Sequence, residues 1–141
     1  MKTLSELTEM TGRTVLDHHD LAIDIPVTTN LVAQGDVTII PEPMWERNGI
    51  SVRHDADFEE VSPRGVTVMA GMHDHVLVAE AGAAIWCRTL DDSEDLGLGI
   101  VDVATEAYLL HEEHGGIGLS AGRYCLRASR EQASIIRRVA D

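Results

Sequence analysis

The stretch of residues 111–124 constrains the fold more than any other part of this sequence. Short apolar runs are separated there by Gly115-Gly116 and by Ser120-Ala121-Gly122. Glycine and small polar residues at such intervals are typical of tight connections between short strands. The stretch therefore predicts a strand, a glycine corner, a second strand, a tight turn and a third strand.

Similar runs upstream extend this pattern over most of the chain. Short strands at close spacing, with turn glycines between them and little helix, are typical of a sandwich or a barrel. We therefore predict one mainly β (all-β) domain that covers residues 1–141. The predicted strands lie at about residues 21–27, 37–40, 50–54, 65–70, 75–80, 84–90, 99–103, 107–111, 116–119 and 123–127, and the runs 75–80 and 84–90 are predicted to form a hairpin.

Short helical elements are predicted at both ends of the chain. Thr3 and Glu6 have the spacing of a capping box, which predicts a helix over about residues 4–11. Ser129 and Gln132 have the same spacing near the C-terminus. One or two helical turns are therefore expected to follow Ser129.

The charge balance argues against nucleic acid as a partner. The 141 residues include 24 acidic and 11 basic side chains, and the net charge is −13. Such a surface repels a phosphate backbone unless a local basic patch compensates. The candidate patch has acidic residues interspersed and is expected to be a solvated or salt-bridged face; it consists of Arg123, Arg127, Arg130, Arg137 and Arg138.

Hydropathy and cysteine usage favour a soluble, cytoplasmic protein. No apolar run approaches the length needed to span a membrane, and the first residues lack the apolar segment of a leader. We therefore expect no membrane partner. Cys87 and Cys125 lie in apolar runs without CxxC spacing, so buried free thiols are expected, as in a reducing compartment.

Two histidine pairs are the candidate site for chemistry. His73 and His75 are two residues apart, which on a strand places both rings on one face. His111 and His114 could supply further ligands from the end of a neighbouring strand. Imidazole ligands suit zinc, nickel, copper or iron, and we expect one divalent ion, Zn, Ni or Fe. The candidate carboxylates beside these histidines are Asp74, Glu112 and Glu113.

Two other interpretations of the histidines stay open. Histidines at strand ends are common, and a short HxH motif can be incidental. Alternatively, His73, His75 and Glu80 form HxH-x4-E, which resembles part of the first cupin motif. The spacing of the leading glycine differs, because seven residues separate Gly65 from His73, and Cys87 replaces the closing glycine. That resemblance implies a small metal-dependent enzyme.

A second resemblance covers residues 34–141. Gln34-Gly35-Asp36-Val37 opens a strand, an HxH lies centrally, and the C-terminal part has the pattern H-x-x-H-x-x-I-x-L-x-x-G-x-Y-x-x-R-x-x-R-E. This combination is similar to a group of small uncharacterised proteins of actinobacteria and their phages. Met72 stands where that group usually has glycine, and Ser129 where it often has glutamine. The resemblance implies no activity, and residues 1–33 lie outside it as a possible N-terminal extension.

The leading hypothesis is a small binding or assembly module that holds a divalent metal through His73, His75, His111 and His114. The alternatives are a small metalloenzyme that uses the same histidines, and a structural or interaction protein in which they are incidental. Exposed strand edges favour a homo-oligomer or a protein partner. A small-molecule substrate stays unknown.

Overall fold

The computed structural model describes residues 1–132, 134 and 135. Its helices are α1 (Leu4–Thr11), a 3₁₀ helix at Glu42–Met44 and α2 (Trp45–Asn48). Its strands are β1 (Val27–Thr28), β2 (Val32–Gln34), β3 (Val37–Pro41), β4 (Ile50–Val52), β5 (Glu59–Glu60), β6 (Val66–Met69), β7 (His75–Val78), β8 (Ala84–Cys87), β9 (Leu90–Asp92), β10 (Gly97–His111) and β11 (Gly115–Ala128).

A long antiparallel hairpin of β10 and β11 forms the centre of the fold. The main sheet has the order β2-β3-β11-β10-β7-β6, and β8 pairs with the first half of β10 while β7 pairs with its second half. β1 runs parallel to β11, and β4 pairs with β9 in a separate two-stranded sheet. The result is an unclosed, sandwich-like fold, which confirms the mainly β prediction.

The predicted turn at Ser120-Ala121-Gly122 is wrong, because β11 continues through it as one strand. The pairing with β10 is irregular between Val103 and Glu106, opposite these small residues. Gly122 has φ +147°, a conformation that L side chains rarely adopt. The small residues therefore accommodate an irregularity within a paired strand instead of a chain reversal.

The predicted hairpin of residues 75–80 and 84–90 is also wrong. β7 and β8 each pair with β10, at His111 to Tyr108 and at Val103 to Ile100 respectively. The connection at Ala81-Gly82 therefore carries the chain from one half of β10 to the other. Both pairings involve partners distant in sequence, which local periodicity does not specify.

The N-terminal segment packs onto the sheet. α1 has the predicted capping box of Thr3 and Glu6 and ends at Gly12 in the left-handed conformation. Most of the predicted strand at residues 21–27 is wrong: only β1 is formed there, and Pro26 lacks the N–H that pairing requires. The carbonyls of Leu21 and Ile23 instead accept hydrogen bonds from the Ser5 and Leu4 amides.

Three apolar clusters stabilise the fold in the described part of the chain. The largest lies between the layers of the sheet, and the second joins α1 to the opposite face of β7 and β10 through Leu4, Leu7 and Tyr108. The third surrounds Trp45 of α2. Cys87 and Cys125 are buried free thiols, as predicted. Within the described residues, none of the helices has the length and apolar character that crossing a bilayer requires.

The described part of the C-terminus is helical at residues 130–132 and 134–135, as predicted. The Ser129 hydroxyl accepts a hydrogen bond from the Gln132 amide at 3.1 Å, which is the expected cap. The remainder of the predicted turn and two arginines of the predicted patch, Arg137 and Arg138, lie outside the described residues.

Candidate metal centre

The four candidate histidines meet at one end of the central hairpin. His111 ends β10 and pairs across the sheet with His75, the first residue of β7. The His75 and His111 ring centres are 4.3 Å apart, and His114 stacks on His111 at 4.6 Å. The His73 ring meets His111 edge-on at 5.7 Å. The sequence prediction that two distant histidine pairs converge therefore agrees with the geometry.

The route by which His73 joins the cluster differs from the prediction. His73 lies in a bend that precedes β7, so it does not share a strand face with His75. The Gly71 amide donates a hydrogen bond to the Asp74 carboxylate at 3.3 Å and tightens this bend. Asp74 also forms an ion pair with Arg13 and is thereby occupied outside the histidine cluster.

A surface pocket of about 190 Å³ lies among these rings. The acidic residues that line it are Asp36, in the turn after β2, and Glu113, in the hairpin corner (residues 112–114) between β10 and β11. Two methionines, Met69 and Met72, also lie on its wall. The lining residues are Asp36, Met69, Ala70, Gly71, Met72, His73, His75, His111, Glu113, His114 and Gln132.

His75 is held in one tautomer by Gln34. The Gln34 amide nitrogen donates to the carbonyls of Leu109 at 2.9 Å and Gly115 at 3.2 Å, so its oxygen faces His75. His75 Nδ1 lies 2.9 Å from that oxygen and must be the donor, because a carboxamide oxygen only accepts. Gln34 and His75 are 2% and 3% exposed. In its neutral form, His75 therefore has a bare Nε2.

Burial keeps His75 neutral at physiological pH. Desolvation, followed by the charges that His111 and His114 could carry, lowers the pKa of His75 to about 4. A neutral imidazole with a defined tautomer is the form that binds a metal ion. Gln34 thus gives His75 the orientation and protonation of a ligand.

His73 has an analogous arrangement nearer the surface. Its Nδ1 lies 3.0 Å from Oε2 of Glu112, one of the predicted carboxylates. A carboxylate only accepts, so Nδ1 carries the proton and neutral His73 has its lone pair on Nε2. Carboxylate–histidine pairs of this kind orient metal ligands in many proteins.

His111 has a positioning role. Its Nδ1 accepts hydrogen bonds from the Glu113 and His114 amides, both at 3.1 Å. In the neutral ring the proton is therefore on Nε2, since Nδ1 is the accepting nitrogen. Burial, then the neighbouring histidines, lowers the pKa of His111. His111 Nδ1 is therefore occupied by the turn between β10 and β11, and the ring contacts His73 edge-on.

His114 is exposed and lies against the turn between β2 and β3. Gly35 in that turn has φ +56°, and a Cβ built there would lie 2.7 Å from Nε2 of His114. Glycine is therefore required twice, for its left-handed backbone and for the close approach of the ring. Within the described residues, no group of three or more His, Cys, Asp or Glu side chains is placed to hold a metal ion as it stands.

Three residues of the site were missed by sequence reasoning. Gln34 and Asp36 belong to the Gln-Gly-Asp-Val motif, but that motif was interpreted only as the start of a strand. His19 binds the Glu113 carbonyl through Nε2 at 2.6 Å and supports the corner from the N-terminal segment. Glu80 of the cupin-like motif lies elsewhere, in an ion pair with Lys2 at 2.6 Å, so the geometry does not support that motif.

The low pKa of His75 predicts a loss of stability in mild acid. An unfolded histidine titrates near pH 6.5, so below that pH the unfolded state binds a proton that the folded state refuses. The free energy of unfolding should fall between pH 6.5 and about pH 4, by up to about 1.4 kcal/mol per pH unit. Urea denaturation at several pH values across this range measures the effect. The free energy of unfolding should fall less steeply with decreasing pH for His75→Gln than for wild type. Equal slopes for the two proteins would contradict the assignment.

Comparison with known proteins shows the family of this chain. A family model described as "Domain of unknown function (DUF8820)" matches residues 33–129, so the chain belongs to this uncharacterised family. The match includes all four histidines, Gln34 and both strands of the central hairpin. No curated protein matches the chain, and no solved structure does.

Proposed function

We propose that this protein is a small binding or assembly module that holds one divalent transition metal ion at the histidine cluster. His73 and His75 are the main ligands, each through Nε2. The observation that carries the proposal is the buried hydrogen bond between Gln34 and His75, which keeps the proton on Nδ1 and leaves Nε2 bare in a residue that lines the pocket. In most metal-binding histidines, the ring nitrogen that does not bind the metal donates to a second polar residue, which fixes the tautomer.

The charges around the pocket favour a cation over an anion. Asp36 and Glu113 line it, and Glu112 lies behind His73. The net charge of the chain is −13. An anionic ligand would meet these carboxylates at short range, whereas a metal ion is attracted by them.

A third ligand requires a side chain to turn. His114 is the best candidate, because it is exposed and its ring lies beside His111 at the pocket. Three imidazoles form a donor set that suits zinc, nickel or iron and leaves a coordination position facing solvent. A side chain of a protein partner or of a second copy of this chain can take that position, so the metal ion would link the two chains.

The test is stoichiometric metal binding by the purified, untagged protein. We expect wild type to bind about one Zn²⁺ or Ni²⁺, and His73→Ala/His75→Ala to bind none, because both bare Nε2 atoms are then gone. Isothermal titration calorimetry and elemental analysis after dialysis measure this. Bound metal should also raise the melting temperature of wild type, since a ligand of the folded state stabilises it.

The matched control is His54→Ala, which removes an exposed histidine outside the cluster. That variant should bind metal like wild type. Circular dichroism of the double variant in metal-free buffer separates lost ligands from lost folding. Wild type that binds neither ion, or a folded double variant that binds as tightly as wild type, would refute the proposal.

A further inference from the structure

Met72 is the most exposed large hydrophobic side chain in the described part of the chain, at 96%. It lies on the bend that carries His73 and is part of the wall of the histidine pocket. A side chain with almost all of its surface in water contributes little to packing. Its contribution to the fold therefore does not explain a methionine at this position.

A second methionine lies on the same wall. Met69 ends β6, is 7% exposed, and belongs to the main apolar cluster as well as to the pocket. Met10 and Met44, in contrast, pack against the other two clusters, away from the histidines. Two methionines and two histidines of the segment Met69-Ala70-Gly71-Met72-His73-Asp74-His75 thus line one pocket.

Thioether sulfur has a narrow preference among metal ions. It is a soft donor that selects Cu(I), whereas zinc, nickel and iron bind well to imidazole without it. We propose that the pocket binds cuprous copper, with the Met72 sulfur as a ligand beside Nε2 of His73 and of His75. This inference rests on the proposed function, because it uses the same two imidazoles.

The donor set also fits a low coordination number. His73 and His75 each present a bare Nε2, and Met72 precedes His73 directly in the chain. The methionine side chain is long and unbranched, with three rotatable bonds, so its sulfur can swing over the opening. Met69 is a second methionine among the lining residues. Cu(I) is satisfied by two imidazoles and one thioether, which makes His114 dispensable for this ion.

Competition with the chromogenic Cu(I) chelator bicinchoninate, under anaerobic conditions with ascorbate, tests the proposal. Wild type should withdraw one Cu(I) from the chelator. Met72→Leu preserves size and hydrophobicity but removes the sulfur, so it should weaken Cu(I) binding at least about tenfold. The Zn²⁺ affinity of the same variant should stay within about twofold, because zinc does not need the thioether.

Met44→Leu is the matched control, since it makes the same exchange outside the histidine pocket and should leave both affinities unchanged. Equal Cu(I) affinity of Met72→Leu and wild type would overturn the proposal, as would a parallel loss of zinc affinity. Wild type that binds Zn²⁺ or Ni²⁺ but fails to compete for Cu(I) refutes this inference alone. Cu(I) binding without Zn²⁺ or Ni²⁺ binding would support this inference and refute the proposed divalent site, and failure with all three ions would refute both.

Discussion

Replacing Arg127 by methionine should destabilise the folded protein by about 3–5 kcal/mol, the typical cost of removing one partner from a buried ion pair. Arg127 donates to Asp92 through Nε at 3.1 Å and through Nη2, and Nη2 also donates to the Asn48 carbonyl at 2.7 Å. The side chains of Arg127 and Asp92 are only 10% and 4% exposed. The substitution would leave the Asp92 carboxylate buried without its cation.

The pKa of Asp92 reflects this environment. Burial alone would raise that pKa, but hydrogen bonds from Arg127 and from the Glu94 and Leu96 amides hold it below the ordinary value. The pair joins β9 and the end of α2 to β11, so its loss affects the attachment of the small sheet. A loss of this size is a large part of the roughly 5–15 kcal/mol that a typical domain possesses.

Urea denaturation of wild type and Arg127→Met measures the effect. Arg53→Ala is the control: its ion pair with Asp55 is 43% and 50% exposed, and such pairs contribute at most about 1 kcal/mol. Asp92→Leu/Arg127→Met should recover part of the loss, because no unpaired charge then remains buried. An Arg127→Met variant no less stable than Arg53→Ala would contradict the role assigned to this pair.

Arg127 also shows what a local pattern can predict. The arginine-rich C-terminal stretch predicts a solvated or salt-bridged face, and Arg123 and Arg130 do form partly exposed pairs with Asp102 and Glu94. The adjacent sequence does not distinguish Arg127 from them. Its partner lies 35 residues away, and only the three-dimensional pairing makes Arg127 the buried one of the three arginines that the structure describes in this series.

The same limit explains the errors in the fold. The capping box of α1 and the corner between β10 and β11 are local, and both were predicted from adjacent residues. Ser120-Ala121-Gly122 was not predictable in this way, because a tight turn and a strand irregularity both favour small residues with unusual backbone angles. The pairing of β7 and β8 with opposite halves of β10 depends on the whole sheet.

The candidate site likewise contains residues that the sequence predicts and one, Gln34, that it does not. The two histidine pairs can be recognised in the sequence as candidate ligands, because metal sites use restricted residue types at short spacings. The residue that prepares His75 cannot be recognised in this way, because Gln34 contacts Leu109 and Gly115, 75 and 81 residues away. A glutamine in a motif has no chemistry of its own that sequence reasoning could recognise. Its role is evident only in the structure, where the Gln34 side chain donates to the Leu109 and Gly115 carbonyls and accepts from His75.

Gln34→Leu should therefore have the second large effect, on both stability and metal affinity. The variant leaves the His75 Nδ1–H without its acceptor and removes the amide that donates to two buried strand carbonyls; a buried polar group left unsatisfied costs about 1–3 kcal/mol. His75 also loses the acceptor that keeps its proton on Nδ1, so Zn²⁺ affinity should fall about 10–100-fold, as with other residues that support metal ligands. Urea denaturation and zinc calorimetry measure the two effects separately.

Two further variants separate the tautomer effect from a general loss of structure. Gln34→Glu retains an acceptor for His75 but cannot donate to the two carbonyls, so it should lose stability while keeping more zinc affinity than Gln34→Leu. Gln132→Leu changes a glutamine on the wall of the same pocket, and we expect it to alter neither quantity. If Gln34→Leu bound zinc as tightly as wild type, Gln34 would be a structural residue only. Burial alone would then act on His75: it lowers the pKa of the ring but does not decide which ring nitrogen is left bare.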